Sequence, residues 1–98
     1  MEHWLRCRVY PGQFSVEYAV SVRQSDGSEV SLFVPQDFVE CDGVPASDRP
    51  VTGWIRVDLV ERRGELVLVH LPRPTLENGP YITVPANQME SRPQRQPA

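Results

Sequence analysis

The chain has 98 residues, a length that suits one domain, and its longest apolar runs fall far short of a membrane span. Its 10 basic residues are all arginine and its formal charge is −3, which disfavours a general phosphate-binding surface. The 10 prolines and 6 glycines exclude long helices and favour short elements joined by turns.

Apolar and polar residues alternate along most of the chain, a pattern typical of half-buried β-strands. With this register, Leu5, Val16 and Ile55 point toward a shared core. Asp26-Gly27 favours a hairpin turn, and the turn-forming residues of 41–50 divide the chain into halves. The predicted strands are 5–9, 14–22, 30–34, 53–60, 65–71 and 81–84. We therefore predict an all-β fold, a small six-stranded antiparallel barrel or sandwich over residues 1–90, followed by a disordered tail at 91–98.

The two halves of the chain show an internal regularity with a period of 50 residues. A shift of 50 aligns Trp4-Leu5-Arg6 with Trp54-Ile55-Arg56, and Val34-Pro35 with Val84-Pro85. Such spacing predicts two repeats, 3–40 and 53–90, each a three-stranded meander that is too small to fold alone. The repeats would pack face to face or close into one barrel, although few positions are identical and coincidence is an alternative.

The two Val-Pro segments resemble the stretch near the end of SH3 domains, where a strand runs through proline into a single 3₁₀ turn and then into the last strand. These segments are Val34–Glu40 and Tyr81–Glu90. The resemblance implies short 3₁₀ turns after Val34 and Val84 and an SH3-like barrel. In that family, the proline and an aromatic residue of this turn help to line a groove for proline-rich peptides. By position, Pro35 and Phe38 match that pair, whereas Gln88 replaces the aromatic residue in the second half.

The residues that could carry chemistry do not form a recognisable site. His3 and Cys7 share a face of one strand but lie about 13 Å apart, too far to bind one zinc ion. Without a secretory leader we expect a cytoplasmic protein with free cysteines, and the acidic neighbours of Cys41 would raise its thiol pKa. His70 is interpreted as a packed or rim residue. We predict no metal, no cofactor and no catalytic residue, and hence a protein that is not an enzyme.

The outward face of the predicted strands carries the strongest functional signal. If Leu5 and Ile55 point inward, each tryptophan lies beside an arginine on the opposite face, and these two residue types are enriched at binding hot spots. Alternatively, the indoles cover one end of the barrel or fill a second small core. The candidate binding residues are Trp4, Arg6, Tyr10, Phe33, Phe38, Trp54 and Arg56.

Three classes of function follow from these observations. The first is a protein-interaction module or accessory subunit that binds a protein partner or a second copy of itself, through the aromatic and arginine face or a sheet edge. The second is a single-stranded nucleic-acid-binding barrel, favoured by Trp4, Arg6, Arg8 and Tyr10 on one face but disfavoured by the acidic charge. The third is a small ligand-binding or enzymatic barrel, which would need a closed pocket containing His70 or a carboxylate.

Overall fold

The structure, a computed structural model, describes residues 1–92 and consists of eight β-strands and two 3₁₀ turns. None of the helical turns in this range has the length or apolar character that crossing a membrane requires. In chain order the elements are β1 (Glu2–Pro11), β2 (Glu17–Arg23), β3 (Glu29–Pro35), the first 3₁₀ turn (Gln36–Phe38), β4 (Val39–Cys41), β5 (Val51–Arg63), β6 (Leu66–His70), β7 (Tyr81–Pro85), the second 3₁₀ turn (Ala86–Gln88) and β8 (Met89–Arg92).

All eight strands belong to one curled antiparallel sheet. Its main path is β3-β2-β1-β5-β6-β7, and two short strands lie off this path, with β4 paired to β5 and β8 paired to β1. The prediction of a six-stranded antiparallel all-β fold is confirmed by the main path. The short strands β4 and β8 are additional to it.

The hydrophobic core lies on the concave side of the curled sheet, where the inward residues of alternating positions meet. Leu5 and Ile55, paired at the centre of the sheet, are fully buried as predicted. Deleting either side chain to alanine would cost about 2–5 kcal/mol because the surrounding strands cannot close the cavity. The other core residues are Cys7, Val9, Val20, Val22, Val30, Leu32, Val34, Val39, Val57, Val67, Val69, Leu71, Ile82 and Val84.

The two halves of the chain have the same order of elements, three strands followed by a 3₁₀ turn and a short strand. In the β1–β5 ladder, Trp4 pairs with Arg56 and Arg6 pairs with Trp54, so a shift of 50 residues exchanges the two pairs. Each short strand crosses to the other half, where Glu40 pairs with Trp54 and Glu90 with Trp4. The halves therefore join edge to edge through β1 and β5, rather than face to face.

The two 3₁₀ turns predicted after Val34 and Val84 are present and are built alike. Pro35 and Pro85 precede them with φ of −58° and −63°, close to the angle that the proline ring imposes. The amide after each proline bonds to the residue just before a neighbouring strand: Gln36 N–H donates at 3.0 Å to the carbonyl of Val16, which precedes β2, and Ala86 N–H donates at 2.7 Å to the carbonyl of Glu65, which precedes β6.

Two of the predicted boundaries were wrong in ways that change the expected core and the expected tail. Val16, expected in the core, is 73% exposed because β2 begins only at Glu17 and the preceding residues turn, with Glu17 N–H donating to the Phe14 carbonyl. The predicted tail starts too early, because Ser91 belongs to β8 and pairs with His3. The rest of that prediction, residues 93–98, lies outside the described residues.

The outermost strands of the main path, β3 and β7, each receive a hydrogen bond from a loop of the other half. Ser25 N–H donates to the Thr83 carbonyl of β7 at 2.9 Å. On β3, the Ser31 carbonyl accepts from Leu76 N–H at 2.7 Å, and Ser31 N–H donates to the Glu77 carboxylate at 2.8 Å. Both sheet edges are thus partly covered, which reduces the room for an added strand.

Candidate functional site

The convex side of the β1–β5 ladder, here called the outer face, brings together four of the predicted site residues: Trp4, Arg6, Trp54 and Arg56. Both arginines are exposed and Trp54 is half-buried. Trp4, however, is only 3% exposed, so at this position the structure agrees with the alternative in which the indole is covered. The reason is that Trp4 lies between two paired strands, β8 and β5, and its cross-strand neighbours Glu90 and Arg56 flank it.

Phe38 extends the outer face next to Arg56. The guanidinium carbon of Arg56 lies 4.9 Å from the centre of the Phe38 ring, within the range of a cation–π contact. On its other side the same guanidinium donates to the Glu2 carboxylate at 3.4 Å. At such an exposed site each contact contributes only about 0.5–1 kcal/mol, but together they hold Arg56 in one orientation.

Tyr10 and Phe33 do not join this group. Tyr10 pairs with Ala19 of β2, which pairs in turn with Phe33 of β3, so the two aromatic residues lie on the convex side two strands apart. Both are half-buried. Phe33 lines a separate groove with Pro35 and Arg73. The sequence-predicted set is therefore divided between two places on the sheet.

Two open clefts flank the outer face, and each is lined by residues from both halves of the chain. The larger, about 800 Å³, contains His70 and is here called the histidine cleft. The smaller, about 300 Å³, is here called the arginine cleft. The histidine cleft is lined by Met1, Glu2, His3, Phe38, Arg56, Val57, Asp58, Leu59, His70 and Pro72. The arginine cleft is lined by Arg6, Cys7, Arg8, Ser21, Arg23, Glu29, Thr52 and Gln88. Five positions of each cleft correspond under a shift of 50 residues, so the clefts are similar in place but different in chemistry.

In the histidine cleft, His70 lies between a carboxylate and an aromatic ring. Its Nδ1 is 3.9 Å from an Asp58 carboxylate oxygen, and its ring packs edge-on against Tyr81 with 4.8 Å between ring centres. The Asp58 side chain is 90% exposed, so its charge is well solvated. The cleft is open to solvent and lies outside the core, unlike the closed pocket that a ligand-binding barrel would need.

The arginine cleft combines two arginines from β1 with one from β2. Arg6 and Arg8 are two positions apart in β1 and therefore lie on the same, convex side of the sheet, and Arg23 is the last residue of β2. Gln88 donates from its side-chain amide to the Arg23 carbonyl at 3.0 Å, which ties the second 3₁₀ turn to β2. Sequence reasoning missed Arg23 and Gln88, because nothing in the local pattern shows that β2 and the second 3₁₀ turn meet.

The two thiols are free, and both are held in the protonated form. Burial, with a smaller effect of Cys41, raises the pKa of Cys7 to about 12. Burial also raises the pKa of Cys41. The direction agrees with the sequence-based prediction, but that prediction named the acidic neighbours of Cys41 as the cause. A protonated thiol is a poor nucleophile and a poor metal ligand. Within residues 1–92, no three histidine, cysteine or acidic side chains come close enough to hold a metal ion.

Comparisons with protein-family models, with curated proteins and with solved structures found no significant match to this chain. The function is therefore argued from the outer face and its two clefts. These surfaces offer exposed charge beside half-buried aromatic rings on paired strands. Such an arrangement can bind another macromolecule by stacking and charge-assisted hydrogen bonds.

Proposed function

We propose that the protein is a non-enzymatic protein-interaction module that binds its partner through the outer face of β1 and β5. The observation that carries this proposal is the repeated pairing of an exposed arginine with an aromatic side chain on neighbouring strands. Arg6 pairs with Trp54, and Arg56 pairs with Trp4 and stacks on Phe38. Tryptophan and arginine are the residue types most enriched among those that dominate binding energy.

The rigidity of this surface supports the same function. β1 and β5 are the longest strands and are paired along seven positions, so their side chains project from a fixed backbone. Arg56 is further held by Glu2 and Phe38. A partner that docks here immobilises fewer free rotamers, each of which costs about 0.5–1.5 kcal/mol.

The outer face is favoured over the sheet edges as the binding surface, and binding is favoured over catalysis as the function. Loops already bond to the edges at Thr83 and Ser31, which leaves only short stretches for an added strand. The raised pKa values of Cys7 and Cys41 leave little thiolate at neutral pH, so neither thiol is suited to nucleophilic attack.

The test is affinity capture from the source cells combined with light scattering of the purified protein. The double variant Phe38→Ala with Arg56→Gln removes the aromatic ring and the charge of the outer face. Phe14→Ala with Arg49→Gln is the matched control, because it removes an exposed ring and an exposed arginine elsewhere. We expect one protein to co-purify in fixed stoichiometry, or the chain itself to dimerise, and the first variant to weaken that binding at least tenfold while the control retains it. Equal behaviour of the two variants, or no association of either kind, contradicts the proposal.

A further inference from the structure

The arginine cleft places three positive charges together with a single negative one, Glu29, which faces Arg23 across the β2–β3 ladder. Among the described residues, no carboxylate oxygen lies within ion-pair distance of the guanidinium groups of Arg6, Arg8 or Arg23. Glu29, which also lines the cleft, accepts a hydrogen bond from Ser21 at 3.3 Å. This concentration of charge stands out in a chain whose net charge is −3.

The path of β1 creates the cleft. The β1–β2 ladder starts from Arg8 opposite Ser21, and two more residues of that register would place Arg6 opposite Arg23. Instead β1 takes β8 as its neighbour over Glu2 to Leu5, and the sheet opens between the two arginines. Like charges at facing positions are destabilising. By opening there, the sheet avoids a facing pair of arginines and leaves both guanidinium groups on the walls of a cleft that an anionic ligand can enter.

The other half of the chain shows what neutralises the equivalent arginine. Arg56 corresponds to Arg6 by the 50-residue repeat, and its guanidinium lies 3.4 Å from the carboxylate of Glu2. The position that corresponds to Glu2 in the arginine cleft is Thr52, which carries no charge. Arg8 corresponds to Asp58, so the second half also has a carboxylate where the arginine cleft has a cation.

We infer that the arginine cleft binds carboxylate side chains of an acidic segment in a partner protein, an inference that rests on the proposed function and specifies the partner's chemistry. Guanidinium groups bind carboxylates through paired, charge-assisted hydrogen bonds. The cleft, about 300 Å³, has room for one or two such side chains. A single-stranded nucleic acid fits less well, because it needs a continuous basic track with aromatic rings on which its bases stack, and none of the described residues that line this cleft is aromatic.

The inference is tested by fluorescence anisotropy with fluorescein-labelled hexaglutamate at low salt. Arg8→Gln with Arg23→Gln removes two charges from the cleft, and Arg49→Gln with Arg62→Gln removes the same charge from exposed sites elsewhere. We expect the first variant to weaken binding at least tenfold and the second less than twofold. Matching urea midpoints for all three proteins would show that the variants are folded, as exposure of these arginines leads us to expect.

Three results would overturn the inference. These are equal weakening by the two double variants, tighter binding of hexathymidylate than of hexaglutamate, and absence of hexaglutamate binding at millimolar concentration. A captured partner separates this inference from the proposed function. If Phe38→Ala with Arg56→Gln releases that partner but Arg8→Gln with Arg23→Gln does not, the outer face is the binding surface and the arginine cleft is not the acidic site.

Discussion

Replacing Gly53 with alanine should destabilise the protein by forcing β4 away from β5. Gly53 is buried in β5 and pairs with Cys41 of β4 and with Cys7 of β1. A Cβ atom here would lie 2.6 Å from a methyl carbon of Val9 and 2.7 Å from the backbone carbonyl oxygen of Glu40. Because a backbone carbonyl cannot rotate aside, the strand that carries it must shift.

The size of the effect follows from two opposing terms. Overpacking of a buried site costs about 1–3 kcal/mol. Restriction of the unfolded chain by alanine returns about 0.4–1 kcal/mol. We therefore expect Gly53→Ala to lower the free energy of unfolding by about 1–2 kcal/mol, which for a chain of this length lowers Tm by about 4–16 °C.

Urea denaturation followed by circular dichroism measures this change, with Gly79→Ala as the matched control. A Cβ at Gly79 would meet nothing within 4 Å, and the glycine does not occupy the left-handed region. The control should therefore be stabilised by about 0.4–1 kcal/mol. A Gly53→Ala protein that is as stable as the unsubstituted chain would refute the reasoning that β4 is seated against Gly53.

Four other predictions concern the indoles, the two thiols and the connection between the halves. Trp54→Phe should leave a protein whose remaining tryptophan, Trp4, is quenched by acrylamide several-fold less than the tryptophan of Trp4→Phe; equal quenching would contradict the burial of Trp4. Because its pKa is raised, Cys41 should react slowly with a thiol reagent at pH 8, but faster than the more deeply buried Cys7; mass spectrometry that finds Cys7 labelled first would contradict the burial. Folding raises the pKa of Cys7 from 9.0 to about 12. The contribution of its protonated thiol to the free energy of unfolding is therefore complete below pH 9 and falls by about 4 kcal/mol as the pH rises to 12. Cys7→Ala should accordingly reduce the loss of stability at alkaline pH. A protease cut after the exposed Asp48 should leave the halves associated in gel filtration, because β4 and β8 each pair with the other half; separation of the fragments would contradict that exchange.

The fold could be predicted where the alternation of apolar and polar residues coincides with a strand that is actually formed. Alternation placed Leu5 and Ile55 in the core because both lie in long strands paired on both sides. The same alternation failed at Val16, where the chain is still turning and pairing has not begun. β4 and β8 were not predicted because strands of three and four residues show no period and form only by pairing with the distant half.

The candidate site could be predicted only in part. Alternation correctly assigned Trp4 and Trp54 to the face opposite the core, but it carries no information about what lies beside a residue on that face. Trp4 is buried by neighbours that come from β8 and β5, far away in sequence. The arginine cleft was likewise hidden, because it depends on where β1 changes its partner from β2 to β8.

The exchange of β4 and β8 gives one chain the architecture of a two-fold dimer. In a true homodimer any substitution appears twice, once in each symmetry-related site. Here the two clefts are encoded by different residues of one chain, so a substitution in one cleft leaves the corresponding position of the other unchanged. Arg8 lines one cleft and Asp58 lines the other at the corresponding position, so the two surfaces differ in charge. A single molecule of this chain accordingly presents two unlike surfaces at a fixed spacing.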